Sequence, residues 1–410
     1  MPALRMPRIH RAELLDAARR RTGLSDFGEW PFDEGLERLV QACADEGRLS
    51  LFGYFATRWD IRRLLSNLLR LRYEELRQPA ILSEPIERPI FITGLPRTGT
   101  TFLHQLLSLD VGNRFPSVWQ TLHPYPDPGA RRDRRERRVD RQLSMFALMN
   151  PDFRRMHPVR AGSPQECSEI TAHVFASLRF DTTYTIPAYR AWLDNAGHTN
   201  AYRFHKRFLQ HLQAQQSQRG RWVLKCPDHV FAFDAIREVY PDARWVFVHR
   251  DPLRVIPSVA RLTEVLRRPF THRLDRVALG RQECERWILG AELLMQTADR
   301  EPFADPIFHV CYRDLVQNPL ATLQGLYRHF GLTLTSGTAA RVGQFVQAVP
   351  NGGYIPNHHP VEAFGIDRNA LNERFSAYID RFGVVRERDP GKPGRAPALL
   401  KQAEQAHPAS

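Results

Sequence analysis

The densest chemical signature in the chain lies between positions 94 and 101. Gly94-Leu95-Pro96-Arg97-Thr98-Gly99-Thr100-Thr101 places two glycines, one guanidinium and three hydroxyls within eight residues. A turn of this composition at the start of a helix leaves backbone N–H groups pointing outward. Together with a planar Arg fork and hydroxyl donors, these suit a tetrahedral anion. Gly94 and Gly99 have P-loop spacing, but Thr100 stands where nucleotide triphosphatases carry the Lys that reaches the β/γ-phosphates. The pattern therefore argues against ATP or GTP hydrolysis and for an anion bound through Arg97 without a metal. The plainer alternative is an ordinary βα turn with Gly as breaker and Thr as cap.

A second cationic group follows at a distance. Lys225 ends the run Arg221-Trp222-Val223-Leu224-Lys225. Arg250-Asp251-Pro252 follows the run Arg244 to Val248, with Ser258 eight residues beyond Arg250. Arg250 and Ser258 suit a second phosphate. The elements needed to hold these groups are legible around them. Pro89-Ile90-Phe91-Ile92 is a short, apolar, β-branched run bounded by turn formers, which predicts a buried strand. Phe102, Leu103, Leu106 and Leu107 recur at helical spacing after the loop. Residues 222–224 and 244–248 predict two more buried strands, with a crossover helix over 230–239 between them. Ligands of open α/β sheets bind at the carboxyl ends of such strands, where Arg97, Lys225 and Arg250 stand.

With both stretches in view, the chain resembles the sulfotransferases that use 3′-phosphoadenosine 5′-phosphosulfate (PAPS), in the bacterial branch related to tyrosylprotein and carbohydrate sulfotransferases. Residues 94–101 are similar to the family's 5′-phosphosulfate loop, with Arg97 where cytosolic members usually carry Lys. Arg250-Asp251-Pro252 with Ser258 is similar to its 3′-phosphate motif. Tyr312-Arg313-Asp314-Leu315-Val316, with Pro319 shortly after, resembles its later strand-and-helix segment. The resemblance covers about residues 86–385. It implies PAPS as co-substrate and in-line sulfuryl transfer to a hydroxyl, or secondarily an amine, of a small-molecule, lipid or carbohydrate acceptor. In that scheme Arg97, Thr98, Gly99, Thr100 and Thr101 hold the 5′-phosphosulfate, Arg250 and Ser258 hold the 3′-phosphate, and Lys225 neutralises the leaving oxygen. No metal is required.

The general base is less determined. Cytosolic relatives carry Lys-Thr-His after the corresponding strand, but position 227 is Pro, leaving His229 as a substitute or as a helix cap. Other relatives place a Glu in the region that reads Val118-Trp119-Gln120 here, and Gln120 cannot act as a base. Glu166 is the second candidate. The run Ser163-Pro164-Gln165-Glu166 also has the form of a helix start with a capping box, a purely structural role. His229 and Glu166 stand as competing bases.

The rest of the chain frames this centre. Its formal net charge is +13 over 410 residues, which implies an anionic partner. The basic run 131–138 lacks interleaved aromatics and reads as a solvated helix rather than a nucleic-acid surface. Five cysteines, an odd number never spaced as CxxC, argue against a disulfide framework or zinc site and fit a cytoplasmic protein. Neither a secretory segment nor a membrane-spanning run is visible. The reading is an α/β protein with a P-loop-like, central, mainly parallel sheet flanked by helices. Residues 1–85 form a helical N-terminal layer, 86–385 the catalytic domain, and 386–410 a polar, disordered tail. The loop 350–365, with His358 and His359, only weakly matches the family's 3′-phosphate loop. Peripheral membrane contact and oligomerisation stay open. So do two other functions: an ATP phosphotransferase, and a non-catalytic anion- or membrane-surface-binding relative.

Overall fold

The apolar runs around positions 91, 223 and 246 become the centre of a five-stranded sheet. A computed structural model describes residues 7–387, apart from 128–131, 151, 153–155, 157–158, 217–219, 301–302, 304 and 350–360. The strands are β1 (Ile90–Gly94), β2 (Asn113–Arg114), β3 (Arg221–Lys225), β4 (Arg244–His249) and β5 (Phe308–Cys311), in the order β2-β3-β1-β4-β5. Every pairing is parallel. The first strand lies in the middle. The chain leaves it toward β3 on one side and crosses to β4 on the other. That reversal opens a crevice at the carboxyl ends of β1, β3 and β4.

Alternation along the strands divides the core. Ile90, Ile92, Val223, Val246 and Val248 face one layer, where they meet Phe102, Leu103, Leu106 and Leu107 of α4 (Thr100–Ser108). Phe91, Leu224, Trp245 and Phe247 face the other. Both faces are covered, as an all-parallel sheet requires.

The N-terminal layer consists of α1 (Arg11–Thr22), α2 (Asp33–Asp45) and α3 (Leu51–Arg77). The expected inward faces are buried: Leu14 and Ala18, Leu36 and Leu39, then Ile61, Leu64, Leu65, Leu68 and Leu71. They belong to the same hydrophobic cluster as Phe91 and Trp245, so the layer shares the core of the sheet. Glu75 of α3 ties it down further, accepting two hydrogen bonds of 2.6 Å from Arg207 and lying 3.1 Å from His211 Nε2.

One local expectation fails. Ser163 does not cap a helix. Its carbonyl accepts from the Val118 N–H, and Pro164 pairs with Ser117 in an antiparallel bridge. The helix begins four residues after Ser163, as α5 (Cys167–Thr171), with Glu166 at its N-cap position and no side-chain cap. The capping box forms elsewhere: Ser117 and Gln120 satisfy each other at the start of Val118–Leu122. Gln120 thus has a structural task and is buried. Residues 388–410 and the histidines at 358 and 359 lie outside the described residues. Arg386 and Glu387, expected in the tail, are placed against Asp251 and Arg250.

Candidate active site

The loop between β1 and α4 can form only with its glycines. Gly94 has φ +148°, and a Cβ there would lie 2.3 Å from the Val248 carbonyl oxygen of β4. Gly99 has φ +95°, and its Cβ would approach the Tyr312 ring to 2.9 Å. Thr98 is buried and donates to the Leu95 carbonyl at 2.7 Å. Its hydroxyl therefore locks the turn, leaving its backbone for a ligand. Arg97 also takes a positive φ, +64°.

The 94–101 loop and the Arg250–Ser258 segment interlock. Arg97 Nε donates to Ser258 Oγ at 3.1 Å, and Arg250 Nη1 donates to the Arg97 carbonyl at 3.0 Å. Ser258 is carried by α6 (Pro252–Arg267), whose N-cap Asp251 accepts from the Leu253 N–H. The Arg250 guanidinium lies 3.9 Å from the centre of the Tyr312 ring. Its other edge is taken by the Glu387 carboxylate, at 2.6 and 2.9 Å. That carboxylate presents two oxygens to a guanidinium, the geometry a phosphate would use. Tyr312 and Glu387 are both absent from the expected site. Tyr312 stands within a recognised motif. Nothing local to Glu387 announces its partner.

Lys225 ends β3 and is fully buried. Register sets it beside Ile92 of β1, just before the loop. Its ammonium donates to Thr101 Oγ1 at 3.1 Å and forms a short ion pair with Glu166. Glu166 is the half-buried partner, and the Cys226 thiol approaches its other oxygen at 3.9 Å.

His229 is elsewhere. It is fully buried, its Nδ1 lies 2.7 Å from the Tyr202 hydroxyl, and its ring meets Phe91 edge-on at 5.0 Å. Burial holds its pKa well below the ordinary histidine value. Proline at 227 begins a 3₁₀ turn over Pro227–Phe231 that rotates this side chain into the core. His229 lines neither of the cavities described next.

Two cavities meet at Glu166. The smaller, about 90 Å³, is lined by Arg97, Gly99, Thr100, Thr101, Arg250 and Tyr312 among others. The larger, about 310 Å³, has apolar walls from Leu178, Val259, Leu262, Leu266 and Trp287 and polar groups such as Arg179, Gln282 and Arg286. Pro96, Glu166, Pro227 and Leu262 line both. On the opposite side Arg250, Tyr312 and Val316 connect the smaller cavity to an open crevice bounded by Val384–Glu387. Asp228, which the sequence did not single out, also faces the larger cavity. Burial first, and the Glu166 carboxylate second, push its carboxyl up to about 7. Among the described residues no group of three or more His, Cys, Asp or Glu could hold a metal.

The sulfotransferase family model matches residues 89–336, more than half of the chain. The chain belongs to the sulfotransferase family. It is similar to the omega-hydroxy-beta-dihydromenaquinone-9 sulfotransferase Stf3 of Mycobacterium bovis and of Mycobacterium tuberculosis, at 26% identity over 75% of this chain and 77% of each relative. The fold superposes on sulfotransferase STF9 from Mycobacterium avium with a TM-score of 0.82 and 26% identity, covering 94% of this chain and 98% of that one. For sulfotransferase STF1 from Mycobacterium tuberculosis the values are 0.78, 28%, 90% and 99%. This sulfotransferase therefore carries an α/β fold with a central parallel sheet and moves a sulfuryl group to a hydroxyl acceptor. The missing Lys at Thr100 and the family match together disfavour the ATP phosphotransferase reading.

Proposed function

We propose that PAPS spans the crevice from the 94–101 loop to Arg250, and that the acceptor enters the 310 Å³ cavity. The observation that carries this reading is the position of Glu166, on the wall common to both cavities and paired with Lys225. The acceptor hydroxyl attacks sulfur from the larger cavity. Its proton passes to the Glu166 carboxylate as the new O–S bond forms. The S–O bond to the nucleotide breaks, and its electron pair stays on the 5′-phosphate oxygen. Lys225 and Arg97 offset the charge that develops there, while the loop N–H groups and the Thr100 and Thr101 hydroxyls orient the sulfuryl oxygens. Arg250 and Ser258 hold the 3′-phosphate. Most of the rate enhancement then comes from positioning and preorganised charge, as in phosphoryl transfer.

We assign the acceptor to the class of hydroxylated lipids. The apolar walls of the larger cavity support this, as does the menaquinone-derived substrate named for one relative. Calorimetric titration of the desulfated nucleotide, 3′-phosphoadenosine 5′-phosphate (PAP), into wild type and Arg250→Ala tests the donor half, with ATP-Mg²⁺ as control. A charge-assisted hydrogen-bonding partner contributes about 1.5–3 kcal/mol, so the variant should bind PAP roughly 10- to 150-fold more weakly. Binding of ATP without PAP would sink the assignment.

A further inference from the structure

One face of α3 is apolar where a solvated helix carries charge. Leu51, Phe52, Phe55 and Trp59 are exposed at 63%, 38%, 61% and 41%. At about 100° per residue these four positions and Arg62 fall within roughly a 100° arc of the helix. Tyr54, Ile61, Leu64 and Leu65, which point the other way, are buried. The helix is therefore apolar on two sides, and only one of them meets the core.

Beyond Trp59 the same face runs into a cavity of about 200 Å³. Its far wall is the helix Arg135–Met149, which contributes Arg138 and Gln142. The lining carries Arg21, Arg62, Arg63, Arg70 and Arg138 against a single carboxylate, Asp127. Arg63 is neutralised from the inside by Asp60 and Glu169, and Asp127 is shared between Arg70 and Arg138. Arg21 and Arg62 add positive charge beyond that balance. The buried Nε2 of His123 has no hydrogen-bond partner among the described residues. Burial, then the Arg63 and Arg138 guanidiniums, hold this imidazole neutral with a pKa of about 3. Met145 and Leu148, three and six residues after Gln142, are exposed at 64% and 81%.

We propose that this face docks on an anionic membrane surface. Leu51, Phe52, Phe55 and Trp59 enter the boundary between headgroups and acyl chains, and the arginine cavity receives a lipid phosphate. Aromatic and aliphatic side chains beside clustered arginines are the composition of an interfacial anchor. The net charge of +13 adds attraction at longer range. A second copy of the chain fits poorly, because it would bring the same arginines against these. The face is also close to the acceptor. Asp60 and Arg63 of α3 pair with Arg179 and Glu169, which line the larger cavity of the active site. One layer of ion pairs separates the docking face from the place where a membrane-borne hydroxyl would react.

The test is co-sedimentation of the full chain with phosphatidylglycerol-rich and with pure phosphatidylcholine vesicles. Two double variants are compared with wild type: Phe55→Ser with Trp59→Ser, and Arg21→Glu with Arg62→Glu. Wild type should partition onto the anionic vesicles, less so at high salt. At about 1 kcal/mol per basic side chain near the surface, the arginine pair should lose roughly 30-fold in partitioning from the two lost charges, and more from the two carboxylates added. The aromatic pair should lose a similar factor. PAP affinity should stay at the wild-type value in both, which reports an intact fold and keeps this result separate from the donor-site reading. Absence of wild-type binding to anionic vesicles, or equal binding by all three proteins, would overturn the proposal. So would a dimer abolished by the aromatic substitutions with no vesicle binding, which would assign the face to a second copy.

Discussion

Replacing Glu166 by Gln isolates the proton-transfer step. The side chain keeps its shape and one oxygen that can accept from Lys225, so the ion pair becomes a neutral hydrogen bond while the walls of both cavities stay intact. What disappears is the carboxylate proposed to take the acceptor proton. A positioned general base contributes about 10²- to 10⁴-fold, which corresponds to roughly 3–5 kcal/mol of barrier at 1.36 kcal/mol per decade. Single-turnover transfer from radiolabelled PAPS to a hydroxylated lipid should fall by that factor. PAP affinity should hold or improve slightly, since a negative charge next to the phosphate loop is gone. The companion variant is His229→Asn. It removes the contact with Tyr202 in the core, and loss of a buried hydrogen bond costs about 1–3 kcal/mol of stability. It should lower the melting temperature while the turnover of the folded fraction stays close to wild type. Transfer by Glu166→Gln within fivefold of wild type, with PAP binding intact, would refute the assignment. A collapse of turnover in folded His229→Asn would move the base to the histidine.

Two further outcomes follow from the ion pairs and pKa shifts around the crevice. Glu387 accepts from Nε and Nη2 of Arg250, so it competes for that guanidinium edge with the 3′-phosphate proposed to bind there. The pair is partly exposed, which limits it to about 1 kcal/mol, and Glu387→Gln should tighten PAP binding roughly fivefold by calorimetry. Asp228 has a folded pKa of about 7, above its unfolded value near 4. The folded state therefore holds a proton there that the unfolded chain has released, and this site's contribution to stability falls as pH rises from about 4 to about 7. Denaturant midpoints of wild type and Asp228→Asn measured across that window should converge at low pH and favour the variant at neutral pH.

Local sequence determined the strand, turn and helix around the 94–101 loop because each is built from neighbours in the chain. The β-branched run 90–92, the glycines at 94 and 99 and the helical spacing after Thr101 encode strand, turn and helix through short-range sterics and hydrogen bonds. The buried faces of α1, α2 and α3 were legible for the same reason, as a periodicity of apolar residues. The surroundings of the two candidate bases were not. Residues 163–166 have every local mark of a helix start, yet a bridge to Ser117 keeps Ser163 and Pro164 extended and delivers Glu166 to Lys225 instead. His229 sits four residues from Lys225 but turns into the core, because Phe91 and Tyr202 offer burial and a hydrogen-bond partner there. Glu387 meets Arg250 across 137 positions of chain. Spacing along a chain fixes which backbone conformations are available. Which side chains share a cavity depends on contacts between distant segments, whose free energies no local pattern records, and those were decided only when the sheet closed and its layers packed.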